Sequence, residues 1–182
     1  VLFRSKKSVG LNGVGIKAVN ALSIHCEITV WREGLTKTVR YSHAKLLEET
    51  EAVPTTEPSG TRVVFRPDSE LFRGYEYKDE FVETMVKNYS FLNAGLTLTY
   101  NGRRYLSKRG LADLLEENMT EEALYPLIHL KEDDVEIVLT HTTQVGEDFY
   151  SFVNGQNTTQ GGTHLSAFKE AVARVIKDFF GK

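Results

Sequence analysis

Apolar residues fall most regularly near the C-terminal end. Between Thr163 and Phe180, the side chains of Leu165, Phe168, Val172, Val175, Ile176 and Phe179 occupy one stripe at helical spacing. The stripe predicts a structural helix, with Thr163 as its cap and Phe168, Val172 and Ile176 facing a sheet of strands around Val135 to His141 and Phe149 to Asn154. A second helix is read over 78–92, where Phe81, Val82, Met85, Val86 and Tyr89 make one packing face and the acids come early, as the helix dipole favours. A short helix is expected from Leu111 to Glu117, and another where Ile16, Val19 and Leu22 follow a glycine-rich loop. Strand patterns alternate with these. Ile24 to Trp31 and Lys37 to Tyr41, separated by Gly34, read as a hairpin. Thr61 to Phe65 reads as a buried-type strand stopped by Pro67 and Asp68. Leu96 to Tyr100 and Arg103 to Leu106 flank Asn101-Gly102, the strongest short turn signal in the chain. Lys45 to Gly60, polar and holding Pro54 and Pro58, is expected to be a surface connection. The acidic stretch from Asn118 to Pro126 breaks the pattern, and a new strand set begins at Leu127 to Leu130. The division predicts two domains, 1–122 and 123–182, with the boundary near Ala123.

Composition narrows the function classes. The 182 residues are 41% apolar and 26% charged, which excludes a disordered or collagen-like chain. No apolar run approaches the roughly 18 residues of a membrane helix, and no signal peptide opens the chain, so a cytoplasmic location and no membrane partner are expected. The single Cys26 cannot form an internal disulfide and suits a buried small hydrophobe in a reducing compartment. A net charge of -3 gives no global electrostatic footprint for nucleic acid. Residues Val1 to Ser5 are expected to be non-native, because the end of a common sequencing adapter, GTGCTCTTCCGATCT, translates to VLFRS.

One segment carries candidate chemistry. Gly10, Leu11, Asn12, Gly13, Val14 and Gly15 precede the first helix, where glycines let a backbone approach a ligand and helix-start amides favour an anion. Phosphate binding and a plain glycine turn both fit. The spacing is GxxGxG after a segment that is no buried strand, which argues against a dinucleotide fold, and the absence of Gly-Lys-Ser/Thr excludes a Walker loop. Lys6 and Lys7 could add charge for a phosphate or stand solvated. His25, His43, His129, His141 and His164 show no metal-ligand spacing and read as structural or surface residues. Asn154-Gly155 and the Gly161 to His164 segment bracket a polar loop, and no serine or cysteine has a nucleophile-elbow context.

Taken together, SVGLNGVGIKAVNALS (Ser8 to Ser23), PSGTRVVFRPD (Pro58 to Asp68), YSFLNAGLTL (Tyr89 to Leu98) and SFVNGQNTTQGGTHLSAFKEAVARVI (Ser151 to Ile176) resemble, in order and spacing, the ATPase region of bacterial type IIA topoisomerase B subunits, those of gyrase and topoisomerase IV. The resemblance covers Lys6 to the C-terminus. The GGTHL block is specific to that family, whereas the glycine loop is shared across the wider GHKL superfamily.

The resemblance implies an α+β fold, the C-terminal part of a GHKL (Bergerat) ATPase sandwich followed by a ribosomal protein S5-like transducer domain. It implies that Gly10 to Ile16 form a lid whose amides hold the ATP phosphates, that Thr61 helps hold the adenine through water, and that Lys6 lies near the phosphates. Asn12 departs from the histidine usual in gyrase, and topoisomerase IV is the preferred subtype. ATP and Mg2+ are the implied cofactors. DNA, a topoisomerase A subunit and a second B subunit are the implied partners. The family's catalytic glutamate, magnesium-binding asparagine and adenine-reading aspartate lie upstream of the glycine loop, and its switch lysine lies downstream of the long helix. No catalytic or metal residue is therefore assigned here, and the chain alone is expected to be inactive. The first domain is expected to be the less stable, with faster amide exchange in Leu11 to Val30 than in Phe149 to Ile176. The alternative reading is a non-hydrolysing, nucleotide-gated interaction module of the same superfamily.

Overall fold

The computed structural model describes residues 13–181, which divide into two compact units, 13–77 and 78–181. The division at Ala123 falls inside the second of these.

In the first unit, helix α1 (Gly15–Ala21) leads into strand β1 (Ser23–Arg32), and β2 (Leu35–Ser42), β3 (Lys45–Glu49), β4 (Val53–Pro54) and β5 (Gly60–Pro67) complete an antiparallel sheet. The order is β3-β2-β1-β5, with β4 also pairing β2, so β1 has a partner on each side. Glu33 (φ 54°) and Gly34 (φ 74°) make the tight turn that the Gly34 break predicts. Among the described residues, the largest completely buried side chains, Cys26 and Ser23, both lie on β1. Cys26 is the buried small hydrophobe expected, and burial pushes its thiol pKa up. On the other face from Cys26, Thr29 and Thr38 share a 2.9 Å hydroxyl contact, and Arg40 donates to Glu27 at 2.7 Å and also reaches Glu48.

Two expectations are corrected here. Lys45 to Gly60 is not all connection, because a two-residue turn at His43 and Ala44 returns the chain as β3 along β2. Pro54 fits the following β4 because that strand lies at the sheet edge, where a missing N–H costs no ladder bond. The Thr61 strand is real but longer than expected, and it is not buried: among the described strands β5 pairs only with β1, and Val63 and Phe65 are 41% and 42% exposed.

In the second unit, α2 (Asp79–Leu92) carries Asp79 and Glu80 in its first turn and buries Ser90 and Phe91. Hairpin β6 (Leu98–Tyr100) and β7 (Arg103–Tyr105) turns at Asn101 (φ 46°) and Gly102 (φ 81°), as predicted. Tyr105 of the hairpin donates its hydroxyl to Glu83 of α2 at 2.6 Å. Helix α3 (Leu111–Asn118) buries Ala112 and Leu114. Its start is secured by Asp113, whose carboxylate accepts bonds from the Ser107 hydroxyl and the Lys108 and Arg109 amides. Strands β8 (Ile128–Lys131) and β9 (Glu136–Leu139) form one ladder, and β10 (Phe152–Val153) and β11 (Gln156–Asn157) another. Helix α4 (Thr163–Phe180) follows.

The C-terminal helix has the bounds that its stripe predicts but not the packing. None of its residues is buried. The expected sheet does not exist as one surface, because β8–β9 and β10–β11 are separate two-stranded ladders. The strand read over Phe149 to Asn154 shrinks to Phe152–Val153, since Asn154 (φ 49°) and Gly155 (φ 82°) turn the chain back at once. Gly162 (φ 106°), not Thr163, occupies the cap position, and no side chain bonds there. The face of α2 is likewise only half covered, with Phe81 and Met85 mostly exposed and Val82 and Val86 partly buried.

Candidate functional site

Of the residues singled out by sequence, Lys6, Gly10, Leu11 and Asn12 lie outside the described residues. Gly13, Val14, Gly15 and Ile16 are described, and they form the entry to α1. Gly13 has φ +59°, a conformation that a β-carbon would strain, and Val14 (φ -84°, ψ -16°) stands at the cap with no side chain bonded there. Gly15 is the first helical residue, with ordinary backbone. A β-carbon at either glycine would meet nothing within 4 Å, and all four residues are exposed. This is an open backbone surface at a helix start, the arrangement that suits an anionic oxygen.

Thr61 lies in the same unit, on β5. It faces Val30 across the β1–β5 ladder, six rungs from the Ser23–Pro67 pair, or about 20 Å along β5 at roughly 3.3 Å per residue. Its side chain is exposed. It shares the face of Cys26, Ile28 and Val63, because alternate residues of a strand point the same way. On that face Ile28, Val30, Leu35 and Val39 line a shallow groove of about 260 Å³.

The end of α1 is held by groups that no sequence motif marks. Ser23 donates its hydroxyl to the Val19 carbonyl at 2.6 Å. The amides of Ala44, Asp68 and His43 donate to the carbonyls of Asn20, Leu22 and Ser23 at 3.3, 3.0 and 2.8 Å. The ring of His43 meets the Asp68 carboxylate at 2.9 Å, Nε2 to Oδ2. A carboxylate only accepts, so Nε2 carries a proton toward Asp68, while Nδ1 lies 3.1 Å from the Ser42 hydroxyl. The Glu70 amide and the His43 ring hold the Asp68 carboxyl below the usual range. Separated by 25 positions, His43 and Asp68 leave no spacing signal.

Other ionisable groups form pairs of their own. An open cleft of about 630 Å³ in the second unit is lined by Lys108, Arg109, Glu116, His129, Lys131 and Glu136 together with apolar residues of α2 and α3. Arg109 bonds Asp113 and Glu116, and Glu136 accepts from both His129 and Lys131 at 2.9 Å. Burial alone would raise the Glu136 carboxyl, but the Lys131 and His129 bonds hold it below the ordinary value. His141 bonds Tyr125 and His164 bonds Ser151, so folding does not bring those two histidines to a common partner. Among the described residues, no group of three or more His, Cys, Asp or Glu could hold a metal ion. They do not fit a magnesium site. No helix among them is long and apolar enough to cross a membrane.

Comparison with known proteins gives this geometry a context. The B subunit of DNA topoisomerase 4 from Borreliella burgdorferi is 41% identical over 176 residues, covering 96% of this chain and 29% of the relative. The gyrase B subunit of Eisenibacter elegans is 35% identical, covering 97% of this chain and 41% of the relative. The crystal structure of the 43K ATPase domain of Thermus thermophilus gyrase B, solved with an aminocoumarin, superimposes with a TM-score of 0.77 at 29% identity, over 95% of this chain and 51% of that one. The topoisomerase IV ATP-binding domain of Francisella tularensis shares the fold, with a TM-score of 0.72 at 21% identity over 94% of this chain and 50% of that one. The chain thus spans less than half the length of these curated relatives and about half that of the solved domains. Its α+β, GHKL-type fold is the one expected from the sequence. The family model for DNA gyrase B matches residues 80–182, more than half of the chain, and the chain belongs to the DNA gyrase B family.

Proposed function

We propose that this chain is the nucleotide-lid and transducer region of a type II DNA topoisomerase B subunit. One observation carries the reading: a member of the gyrase B family, aligned over 95% of its length with a gyrase B ATPase domain, presents an open glycine-rich backbone at the start of α1. In this reading Gly10 to Ile16 cradle the phosphates of ATP, with Lys6 nearby, and Thr61 helps to hold the adenine. Oriented amides suit this role because they meet phosphate charge without the desolvation cost of a mobile side chain.

In the intact protein, ATP binding closes two B subunits around a DNA segment and hydrolysis resets them for strand passage with the topoisomerase A subunit. Residues 123–182 belong to the S5-like transducer that carries the signal onward. No catalytic base is assigned within residues 13–181. The 41% identity to a topoisomerase 4 relative supports that subtype over gyrase.

The test is Gly15→Val in the intact protein, with ATP binding followed by calorimetry. Gly15 has ordinary helical backbone and open space around it, so the free fold tolerates the change. The added side chain meets phosphate only when nucleotide binds. Affinity should fall more than about tenfold; affinity equal to the parent protein would refute the lid assignment. Decatenation outpacing supercoiling in the reconstituted enzyme would support the topoisomerase IV subtype, and the reverse would favour gyrase.

A further inference from the structure

We propose that His43 and Asp68 are positioning residues for the nucleotide lid, forming a latch that fixes the helix carrying Gly13 to Gly15; this rests on the reading of those glycines as phosphate-binding. The latch is built from two distant turns. His43, at the β2–β3 turn, and Asp68, at the end of β5, each donate a backbone amide to the junction where α1 becomes β1, at the Ser23 and Leu22 carbonyls. Their side chains then bond each other at 2.9 Å. Four groups therefore close one ring around the end of the lid helix, and Ala44 adds a fifth through its amide to the Asn20 carbonyl.

The turn that supplies the latch is held at a cost. His43 and Ala44 have φ of 49° and 61°, two successive non-glycine residues in the left-handed region. The comparable turns of this chain use Glu33-Gly34, Asn101-Gly102 and Asn154-Gly155, each with glycine second. Histidine enters this conformation more readily than most side chains, but neither it nor alanine relieves the turn as glycine would. At this position the imidazole reaches Asp68, whose side chain is 12% exposed against 46% for His43, so the pair is anchored on its buried partner. Asn20, which provides one of the latched carbonyls, also keeps a buried side-chain oxygen without a partner among the described residues, a further cost borne at this junction.

The lever arm explains why this junction matters to the lid. Helix α1 has seven residues and is about 10 Å long at 1.5 Å per residue. A tilt of about 10° at its latched end would move its first residues by about 2 Å, more than a hydrogen bond to a phosphate tolerates. No residue of α1 is fully buried, and only Val19 and Asn20, at its latched end, are half-buried, so the first residues of the helix depend on how that end is held.

The experiment uses the intact protein with His43→Ala and His43→Gln, the latter keeping an N–H donor for Asp68, and with Asp68→Ala, which removes the acceptor and is read in the same way, if His43→Ala fails to fold. Amide exchange without nucleotide reads the latch directly. Exchange should quicken in residues 13–22 of His43→Ala while the β1 core around Cys26 keeps its protection. ATP affinity should fall roughly fivefold to tenfold as the competent fraction drops, and His43→Gln should restore most of it. Unchanged exchange in residues 13–22 overturns the proposal, as does faster exchange with parental ATP affinity or failure of glutamine to rescue. Gly15→Val run alongside separates the two readings: if it too binds ATP normally, the lid assignment has failed, and the exchange result still decides the latch.

Discussion

Strand β1 and helix α4 are the two segments with the clearest patterns, and they sit in opposite environments. β1 is an alternating strand of ten residues paired on both sides, and it holds Ser23, Cys26 and Thr29 buried. α4 is an 18-residue helix with the most regular apolar stripe in the chain, and none of its residues is buried. Regularity of pattern and depth of burial are therefore separate properties. Periodicity states which side chains share a face, and burial depends on what lies opposite that face. Across β1 stand β2 and β5, whereas the strands before α4 form two narrow ladders. The comparison reverses the expected stability order: amide exchange should be slower in Ile24 to Val30 than in Val172 to Phe180, because local opening is cheap where few apolar groups are buried. Faster exchange in β1 than in α4 would break this contrast.

The largest effect should come from the centre of the sheet. Cys26 is 0% exposed, so Cys26→Asp places an unpaired carboxyl where no water reaches and should cost more than about 4 kcal/mol, or prevent folding of residues 13–77. A denaturant titration within about 1 kcal/mol of the parent would show that the site relaxes to admit solvent. In α4, Phe168 is half-buried rather than enclosed, so Phe168→Ala should cost about 1 to 2 kcal/mol and not the roughly 3 to 5 of a fully buried phenylalanine. A loss above about 3 kcal/mol would mean that the stripe is covered in solution.

Acid should also separate the two segments. The Arg40 bond holds the Glu27 carboxyl of β1 below its usual range, and Asp68 is lowered by the Glu70 amide and then by His43. Groups depressed on folding contribute stability that is complete above their unfolded pKa and is lost as pH falls through the folded value. Protection of the sheet should therefore decline as pH drops below about 4. The decline should be smaller in α4, whose Glu170–Arg174 pair is exposed on both sides and screened by water. Equal acid sensitivity in both segments would remove the role given to the pairs of the sheet. The smallest effect is expected at Phe179, which is 75% exposed: Phe179→Ala should change stability by less than about 0.5 kcal/mol.

Much of this molecule is legible in its sequence because it is written in local chemistry. The Asn101-Gly102 hairpin, the Gly34 turn, the bounds of α4 and the buried Cys26 follow from backbone conformational preference and periodicity, which act within a few residues. The glycine loop is legible for the same reason: Gly13 occupies a left-handed conformation, and a helix begins two residues later. Family resemblance reaches further, to the fold itself. The tertiary structure decided the rest. His43 and Ala44 carry no turn signature, so β3 shows itself only in its ladder with β2. His43 and Asp68 meet only because the β2–β3 turn and the end of β5 converge on the same helix end. Burial of β1 and exposure of α4 were likewise settled by strand partners that no local pattern names, since a side chain's environment depends on residues brought near it in space and not along the chain.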